Sequence, residues 1–337
     1  MTPETIPRRE NQAVELEEIY RDIKPELEEV ENCLQALTTS ANPFLAEINQ
    51  FLFSKKGKRI RPALVILAAK LFDYQGEDHI LMASLIECIH TASLIHDDIV
   101  DNSRLRRGLL TIHTRWGPNL SVLLGDYLYI KTVNLLLESG HDLIIRLLSR
   151  TTSQMIEGEI NEFLMSGNFS LEEKEYLEII RQKTAFLFAA ACEIGGLLAE
   201  AEEGHLKLLH NYGAYLGMAF QIIDDLLDFQ GNESVLGKPT FSDLNEGRIT
   251  LPLIHSLSGD GQPFREKIIS LAQKKPLEEE RKREILSILE ANGSLDYCFR
   301  KAKEYTEKCF GQLEGLPASN HREALARLAD YVLYRDR

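Results

Sequence analysis

Apolar residues recur at helical spacing along most of the chain, and this pattern constrains the fold more than any other feature of the sequence. Stretches 11–37, 204–229 and 282–293 repeat apolar residues every three or four positions, as amphipathic α-helices do. Alternating strand patterns bounded by turn pairs are essentially missing. Ser170 and Glu173 fit a capping box that would open a further helix. We therefore predict an all-α protein.

The sequence shows neither an internal repeat nor a linker rich in Pro, Gly or Ser. Segment 79–98 is apolar on nearly every side, which is typical of a helix buried within a bundle. The longest stretch without helical periodicity, 230–252, has the length of a functional loop. The simplest interpretation is one domain over residues 1–337, with 1–40 as an N-terminal helical part of the same bundle.

Charge and cysteine content narrow the class of protein. The chain has 38 Lys and Arg against 52 Asp and Glu, a formal net charge of −14. This balance disfavours nucleic acid or an anionic membrane surface as a partner. The cysteines stand far apart without CxxC spacing, as expected of reduced core thiols. No apolar leader is visible, nor an unbroken apolar run of about 18 residues. We expect a cytoplasmic protein without stable membrane insertion.

An Asp-Asp-x-x-Asp pattern occurs twice, each time at the end of a strongly apolar segment. The two sets are Asp97, Asp98 and Asp101, and Asp224, Asp225 and Asp228. Aspartates four residues apart share one helix face, where like charges repel and the helix dipole is unfavourable. A single copy is most simply a solvated helix end, but two copies indicate a shared cleft in which a divalent cation offsets the repulsion. Ligation by carboxylates alone favours Mg²⁺, completed by substrate phosphates.

Basic residues stand close in sequence to both acidic motifs. The densest run, 55–62 (KKGKRIRP), precedes an apolar helix, and Arg106 with Arg107 follows the first motif. Lys183 and Lys238 supply further positive charge. A basic run alone is usually a solvated face. Beside two metal-binding motifs, it indicates a diphosphate substrate and a second anionic substrate, since Arg and Lys are the usual phosphate ligands.

With these residues in view, the chain resembles the trans-isoprenyl diphosphate synthases, or polyprenyl synthetases, over about residues 45–337. The matching motifs are GKRIRP, IECIHTASLIHDDIVD, LRRG, LLGDYLY, MIEGE, KTAFLF, YGAYLGMAFQIIDDLLD, LGKPTFSDLNEGRITLP and LADYVLYR. The resemblance implies a single-domain bundle of ten or more mostly antiparallel helices around a deep central cavity. It also implies a homodimer and a prenyltransferase that joins isopentenyl diphosphate to an allylic diphosphate by ionisation, condensation and elimination.

The resemblance assigns roles residue by residue. Three Mg²⁺ ions would be bound by Asp97, Asp101, Asp224 and Asp228, supported by Asp98 and Asp225. The allylic diphosphate would be bound by Arg106, Lys183, Thr184, Gln221 and Lys238. Isopentenyl diphosphate would be bound by Lys58, Arg61, His90 and Arg107. The residues implied in catalysis are Asp97, Asp101, Asp224, Lys183, Thr184 and Gln221. The metals and cations would stabilise the departing diphosphate, which would then act as the base.

Product length is implied by the side chains one turn before Asp97. In this family, bulk at those positions limits the chain, and here they are the small Ala92 and Ser93. We predict an all-trans product of C30–C50, with C40 favoured, made from a farnesyl or geranylgeranyl primer. Ile130 replaces a usually small residue and is expected to narrow the tunnel. Arg248 stands where lysine is more frequent and keeps the charge.

Several alternatives remain open at the level of sequence. A di-iron bundle would use Glu87-x-x-His90 and Glu202-x-x-His205, but would leave both aspartate motifs without a role. Segment 231–240 has the wrong spacing for a P-loop. His90 alone is more simply a satisfied core histidine. A farnesyl or geranylgeranyl diphosphate synthase, a class I terpene cyclase and a non-catalytic scaffold also remain. The need for a second small subunit and a role in supplying a quinone side chain or a carrier lipid stay undecided.

Overall fold

The structure, a computed structural model, describes residues 15–37, 42–54, 57–106, 108–230, 240–258, 262–273 and 275–335. The predicted all-α class is confirmed. The first helices are α1 (Leu16–Ile19), a 3₁₀ turn (Arg21–Ile23), α2 (Lys24–Leu37), α3 (Pro43–Leu52), α4 (Ile60–Lys70) and α5 (Asp78–Val100). A hairpin of β1 (Leu105–Arg106) and β2 (Leu109–Leu110) follows.

The remaining elements are again helical. They are α6 (Ile112–Trp116), α7 (Pro118–Glu138), α8 (Asp142–Leu164), α9 (Glu173–Ile180), a π-helical turn (Arg181–Ala185), α10 (Phe186–Leu198) and α11 (Glu203–Gln230). After these come α12 (Ser242–Glu246), α13 (Leu251–Leu257), α14 (Gln262–Ala272), α15 (Glu279–Ala291), α16 (Ser294–Leu313) and α17 (Asn320–Tyr334).

Helices α4, α5, α10 and α11 form the centre of the bundle. In α10, most residues from Leu187 to Leu198 are buried, because its sequence is apolar on all sides. A Cβ on Gly217 would lie 2.6 Å from Ala185 Cα, so glycine there lets α11 approach the π-helical turn closely. The ends of α5 and α11, which carry the two aspartate motifs, are thereby fixed on one rigid core.

The N-terminal segment packs into this same core. Ile23, Val30 and Leu34 are completely buried in the hydrophobic cluster that also holds Leu328 and Val332 of α17. Both ends of the described chain therefore close the bundle next to each other.

Helix α7 has an exposed apolar face. Leu123, Ile130 and Leu137 follow one another at seven-residue intervals and are 65%, 56% and 57% exposed. By length and average hydropathy, α5 and α7 could each cross a membrane, but 56% of the apolar window of α5 is buried in the bundle and 33% of that of α7. Ile130 therefore points to the outside, and the expectation that it narrows a tunnel is wrong.

Local details around residues 165–252 differ from the sequence-based expectations. The capping box at the start of α9 uses Glu172 and Glu175, because the Glu172 side chain accepts from the third residue of the helix. Ser170 instead donates its backbone N–H to Asn168. The stretch 230–252, predicted to lack helix, contains α12 and the start of α13, and 231–239 lies outside the described residues.

Candidate active site

The first aspartate motif ends α5 with its carboxylates facing two directions. Asp97 and Asp101 line a cleft of about 870 Å³. Asp98 is buried and accepts hydrogen bonds from Arg106 Nε at 2.7 Å and Nη2 at 2.6 Å. Residues i and i+4 of a helix share a face and residue i+1 does not, so the periodicity of α5 explains this division. Asp98 thus orients Arg106, which also lines the cleft.

The second motif, at the end of α11, is likewise divided. Asp224 lines the cleft and accepts from Arg335 Nη2 at 3.2 Å. Asp225 is buried and accepts from the Tyr176 hydroxyl at 2.6 Å and from Gln221 Nε2 at 2.7 Å. Charge on the buried Asp225 is costly: burial first, and then the nearby Asp243 carboxylate, raise its pKa well above the ordinary value.

Asp228 lies behind the cleft. Its carboxylate is fully buried and accepts from the Ser242 hydroxyl at 2.6 Å and from the Asp243 backbone N–H at 3.2 Å. Its own carbonyl accepts from the Phe241 N–H at 2.8 Å. In this structure Asp228 anchors the start of α12. Each of its carboxylate oxygens accepts a hydrogen bond from the start of α12, and direct ligation of a metal by Asp228 stays a prediction.

Lys183 lies within the π-helical turn between α9 and α10. Its Nζ is paired with Glu159 at 2.7 Å and with Glu162, both on α8. A Cβ on Gly158 would lie 2.7 Å from the Lys183 backbone nitrogen, so this glycine sets the distance between α8 and the turn. The pKa of Lys183 is raised: burial opposes this, but the carboxylates of Glu162, Asp97 and Glu159 outweigh it. The widened turn was not foreseen, because no residue type specifies a π-helix.

Thr184 does not line the cleft itself but contacts Gln221, which does. It is 6% exposed, and its hydroxyl donates to Gln221 Oε1 at 2.8 Å. Since Gln221 Nε2 donates to Asp225, the amide is held by both ends. Gln221 lines the cleft, and Thr184 fixes the orientation of its amide.

Arg248 was not assigned a site role from the sequence, yet it lines the cleft. Its Nη1 is 2.6 Å from Asp101, and its Nη2 is 2.7 Å from Asp243 and also pairs with Glu246. Burial opposes a high pKa, but these carboxylates hold the pKa of Arg248 well above its ordinary value. The signals available in the sequence were the charge that Arg248 keeps where lysine is more frequent in the family, and its position just after Asp243 and Glu246.

The basic residues at the start of α4 contact aromatic rings. The Arg61 guanidinium lies 4.6 Å from the Phe188 ring centre, and Lys58 Nζ lies 5.8 Å from that of Tyr331. Phe188 is 5.2 Å from Phe220, on which Arg335 stacks at 3.8 Å. Aromatic rings therefore connect Arg61 to the cation that contacts Asp224.

Of the remaining predicted anion-binding residues, His90 lies within the described part of the chain. His90 lines a small cavity together with Arg59 and Arg106, between α5 and the β-hairpin. Arg107 and Lys238 lie outside the described residues. The contacts of the residues proposed for a di-iron site do not support that alternative. Glu87 accepts a hydrogen bond from Arg59, and the ring of His205 packs against Phe72.

A mostly apolar cavity of about 320 Å³ continues from the cleft between α5, α7 and α8. Ala92 and Ser93 line it, as do Ile89 and Met155. Asp97 and Lys183 line both this cavity and the cleft, so the two spaces meet at the first motif. The arrangement can hold a charged head group at one end and an extended apolar chain at the other.

The cleft has the donor set of a hard-cation site. Asp97, Asp101 and Asp224 contribute carboxylate oxygens, the ligands that Mg²⁺ and Ca²⁺ prefer. Burial raises the pKa of Asp97 to about 7, although the positive charge of Lys183 opposes this shift. The nearby positive charge therefore does not fully offset the cost of burying the ionised carboxylate. Among the described residues, no group of three His, Cys, Asp or Glu side chains is drawn together into a ligand cluster. Asp101 instead pairs with Arg248, and Asp224 with Arg335, and a divalent cation would fit by replacing those partners.

Comparison with known proteins agrees with this geometry. The polyprenyl synthetase family model matches residues 42–289. Octaprenyl diphosphate synthase of Escherichia coli is 38% identical over 90% of this chain and 94% of its own length. Heptaprenyl diphosphate synthase component 2 of Geobacillus stearothermophilus is 35% identical over 96% of this chain and all of its own.

A solved structure shares the whole fold. The polyprenyl synthase of Caulobacter crescentus, complexed with calcium and isoprenyl diphosphate, superposes with a TM-score of 0.91 at 33% identity. The match covers 97% of this chain and 100% of that one. The resemblance read from the motifs is thereby confirmed, and the chain belongs to the polyprenyl synthetase family, the trans-isoprenyl diphosphate synthases.

Proposed function

We propose that the protein is a long-chain trans-polyprenyl diphosphate synthase that uses Mg²⁺ and extends a farnesyl or geranylgeranyl diphosphate primer to C30–C50, with C40 favoured. The observation that carries this proposal is the continuity of two spaces at Asp97 and Lys183. A cleft rich in carboxylates and cations leads there into a mostly apolar cavity. Such a pair of spaces suits a diphosphate joined to a growing prenyl chain.

The allylic diphosphate binds in the cleft. Asp97, Asp101 and Asp224 would hold Mg²⁺, which would neutralise the charge that develops on the diphosphate as the C–O bond breaks. Lys183, Arg106 and Lys238 bind the same group, and Arg248 joins them because it already lies beside Asp101. Cations fixed in advance favour the charge-separated transition state over the ground state.

Gln221 and Thr184 lie where positive charge develops on the substrate. The Thr184 hydroxyl and Asp225 hold the Gln221 amide from both sides. An amide oxygen fixed in this way can stabilise a carbocation without reacting with it. A free water molecule, by contrast, would react with the cation. The departing diphosphate accepts the proton that is lost after condensation, since none of the described side chains is an obvious base.

Isopentenyl diphosphate binds to Lys58, Arg61, His90 and Arg107. Support comes from the position of Arg61, which the stacked rings of Phe188 and Phe220 connect to the Arg335–Asp224 pair. Arg107 follows Arg106 directly, so adjacent arginines would serve different substrates.

Product length depends on Ala92 and Ser93. Both line the apolar cavity one turn of α5 below Asp97, and neither fills it. The residues that line the space alongside them are Ile89, Tyr129, Met155, Ile156 and Ile160. A prenyl chain would pass between α5 and α8.

We further propose a cytoplasmic homodimer. The exposed seven-residue repeat of Leu123, Ile130 and Leu137 on α7 has the spacing of a helix–helix seam, which suits a second helical surface. The product could serve as a quinone side chain or a carrier lipid. Because one relative is named as component 2 of a heptaprenyl synthase, a requirement for a second subunit is the competing possibility.

The test is an incorporation assay with labelled isopentenyl diphosphate, Mg²⁺ and each allylic primer, followed by chromatography of the products. The proposal expects one long product from the purified chain alone. Products of only C15 or C20 would reassign it as a short-chain synthase. Incorporation only after a cell extract is added would favour the two-component alternative.

A further inference from the structure

Lys58, at the end of the basic loop before α4, and Arg61, in the first turn of α4, are held from within the protein by Arg59, which lies between them. This arginine is 8% exposed and bonds two glutamates on different helices. Its Nε lies 2.5 Å from Glu31 Oε1 and its Nη2 lies 3.1 Å from Glu31 Oε2, on α2. Its Nη1 lies 2.5 Å from Glu87 Oε1, on α5. One cation thus joins α2, α5 and the start of α4.

The backbone at Arg59 has an unusual conformation. Its φ of 52° lies in the left-handed region, which a residue with a Cβ adopts only when its surroundings enforce it. Here the side-chain bonds to Glu31 and Glu87 are the enforcing contacts. The turn separates the basic side chains, since Arg59 contacts the buried glutamates while Lys58 and Arg61 contact Tyr331 and Phe188.

A second contact holds the same loop one residue earlier. The Tyr20 hydroxyl donates to the Lys58 carbonyl at 3.0 Å. Tyr20 and Glu31 both precede residue 42, where the match to the family model begins. The N-terminal segment therefore fixes the backbone of Lys58 and the side chain of Arg59 at the same time.

We propose that Glu31 and Tyr20 are positioning residues for the diphosphate of the non-allylic substrate. They act through Arg59 and the Lys58 backbone, and they hold Lys58 and Arg61 in the arrangement that receives this anion. The inference rests on the proposed function, in which Lys58 and Arg61 bind isopentenyl diphosphate. It adds that this site is built from the N-terminal helices as well as from α4 and α5.

The charges predict which substitution should disturb the loop most. In the Glu31→Gln variant the side chain keeps its size, but Arg59 loses the carboxylate that it contacts twice. Its remaining charged partner would be Glu87, so the guanidinium would shift towards α5 and the left-handed turn would relax. The Tyr20→Phe variant removes only one hydrogen bond to the loop, and its effect should be smaller in the same direction.

The experiment measures steady-state constants for the two substrates separately, with the full chain and farnesyl diphosphate as the primer. For Glu31→Gln we expect KM for isopentenyl diphosphate to rise about tenfold, and for Tyr20→Phe about threefold. KM for farnesyl diphosphate should stay within about twofold in both. A merely structural role would lower the amount of active enzyme and leave both KM values unchanged.

Two matched controls separate positioning from general stability. Glu26 pairs with Lys70 at 2.5 Å and joins the same helices, α2 and α4, at the end far from the loop. Glu26→Gln therefore removes a comparable ion pair. Tyr212 donates its hydroxyl to the Leu325 carbonyl at 2.7 Å, so Tyr212→Phe matches Tyr20→Phe. Neither control should change KM for isopentenyl diphosphate.

Arg61→Ala makes the two possible failures distinguishable. If Arg61→Ala leaves KM for isopentenyl diphosphate unchanged, the proposed binding site is wrong and the inference falls with it. If Arg61→Ala raises that KM while Glu31→Gln and Tyr20→Phe behave like their controls, the site stands and the positioning role is overturned. Should Glu31→Gln fail to fold, the Tyr20→Phe comparison decides.

Discussion

Within each aspartate motif, the individual carboxylates have different surroundings. Asp97, Asp101, Asp224 and Asp225 line the cleft, but Asp98 and Asp225 are buried and accept hydrogen bonds from Arg106 and Gln221. The spacing of four residues was enough to predict that Asp97 and Asp101 share a face. It could not identify partners from distant segments. Examples are Ser242, whose hydroxyl donates a hydrogen bond to Asp228, and Arg248, which pairs with Asp101.

Thr184 provides a test at the scale of one hydroxyl group. Thr184→Val removes the donor to Gln221 and keeps the shape of the side chain. Since a neutral hydrogen bond contributes about 1 kcal/mol, we expect kcat to fall about fivefold, with KM for isopentenyl diphosphate unchanged. Thr184→Ser should retain most of the activity. Equal rates for the Val and Ser variants would show that the hydroxyl does not orient Gln221.

Ala92 provides a test of product length. Ala92→Phe would place a ring in the apolar cavity, beside Ile89 and Met155. We expect the main product to become shorter by at least one isoprene unit, while incorporation of the first unit continues. Chromatography of the dephosphorylated products measures this. An unchanged product would place the limit on chain length elsewhere in the cavity.

Among the helices, the junction of α8 with the π-helical turn controls the position of Lys183. Gly158→Ala would add a Cβ 2.7 Å from the Lys183 nitrogen and 2.8 Å from Gln182 Cβ, so one of the two elements must move. Because small misplacements at an active site cost up to about a hundredfold in rate, we expect kcat/KM to fall at least about tenfold.

Gly204 on α11 serves as the control for that substitution, because a Cβ there meets nothing within 4 Å. Gly204→Ala should leave kcat/KM unchanged. Full activity of Gly158→Ala would mean that the spacing of α8 does not determine where Lys183 lies.

Sequence patterns predicted the long helices better than the short segments that connect them. The apolar periodicity predicted α2, α11 and α15, and the apolar character of 79–98 on nearly every side predicted α5; the structure has helices in each of those places. It did not reveal the π-helical turn at 181–185 or α12, because both are set by contacts with other elements: Gly158 for the turn and Asp228 for α12. The start of α9 was misplaced by two residues, since Ser170 is the favoured type of cap, whereas the structure uses Glu172 in a capping box with Glu175.

For the molecule as a whole, the apolar face of α7 suggests an assembly test. Ile130→Glu would place a carboxylate in the middle of the seven-residue repeat. We expect the mass in solution, measured by light scattering, to change from that of a dimer to that of a monomer. Phe264→Glu changes a residue of similar character on α14, 37% exposed, and should leave the mass unchanged. A dimeric Ile130→Glu variant would exclude this face as the contact.

In the described structure, Lys183 and Arg248, which line the cleft, already pair with Glu159 and Asp101, and the buried Arg335 pairs with Asp224. Binding of the proposed magnesium diphosphate would therefore be an exchange of partners, in which Asp101 and Asp224 would hold the metal and the released cations would bind the phosphates. Thermodynamic linkage then requires that each ligand tighten the binding of the other by the same factor. Neither the free metal nor the free diphosphate alone would bind with the affinity that the number of charges suggests.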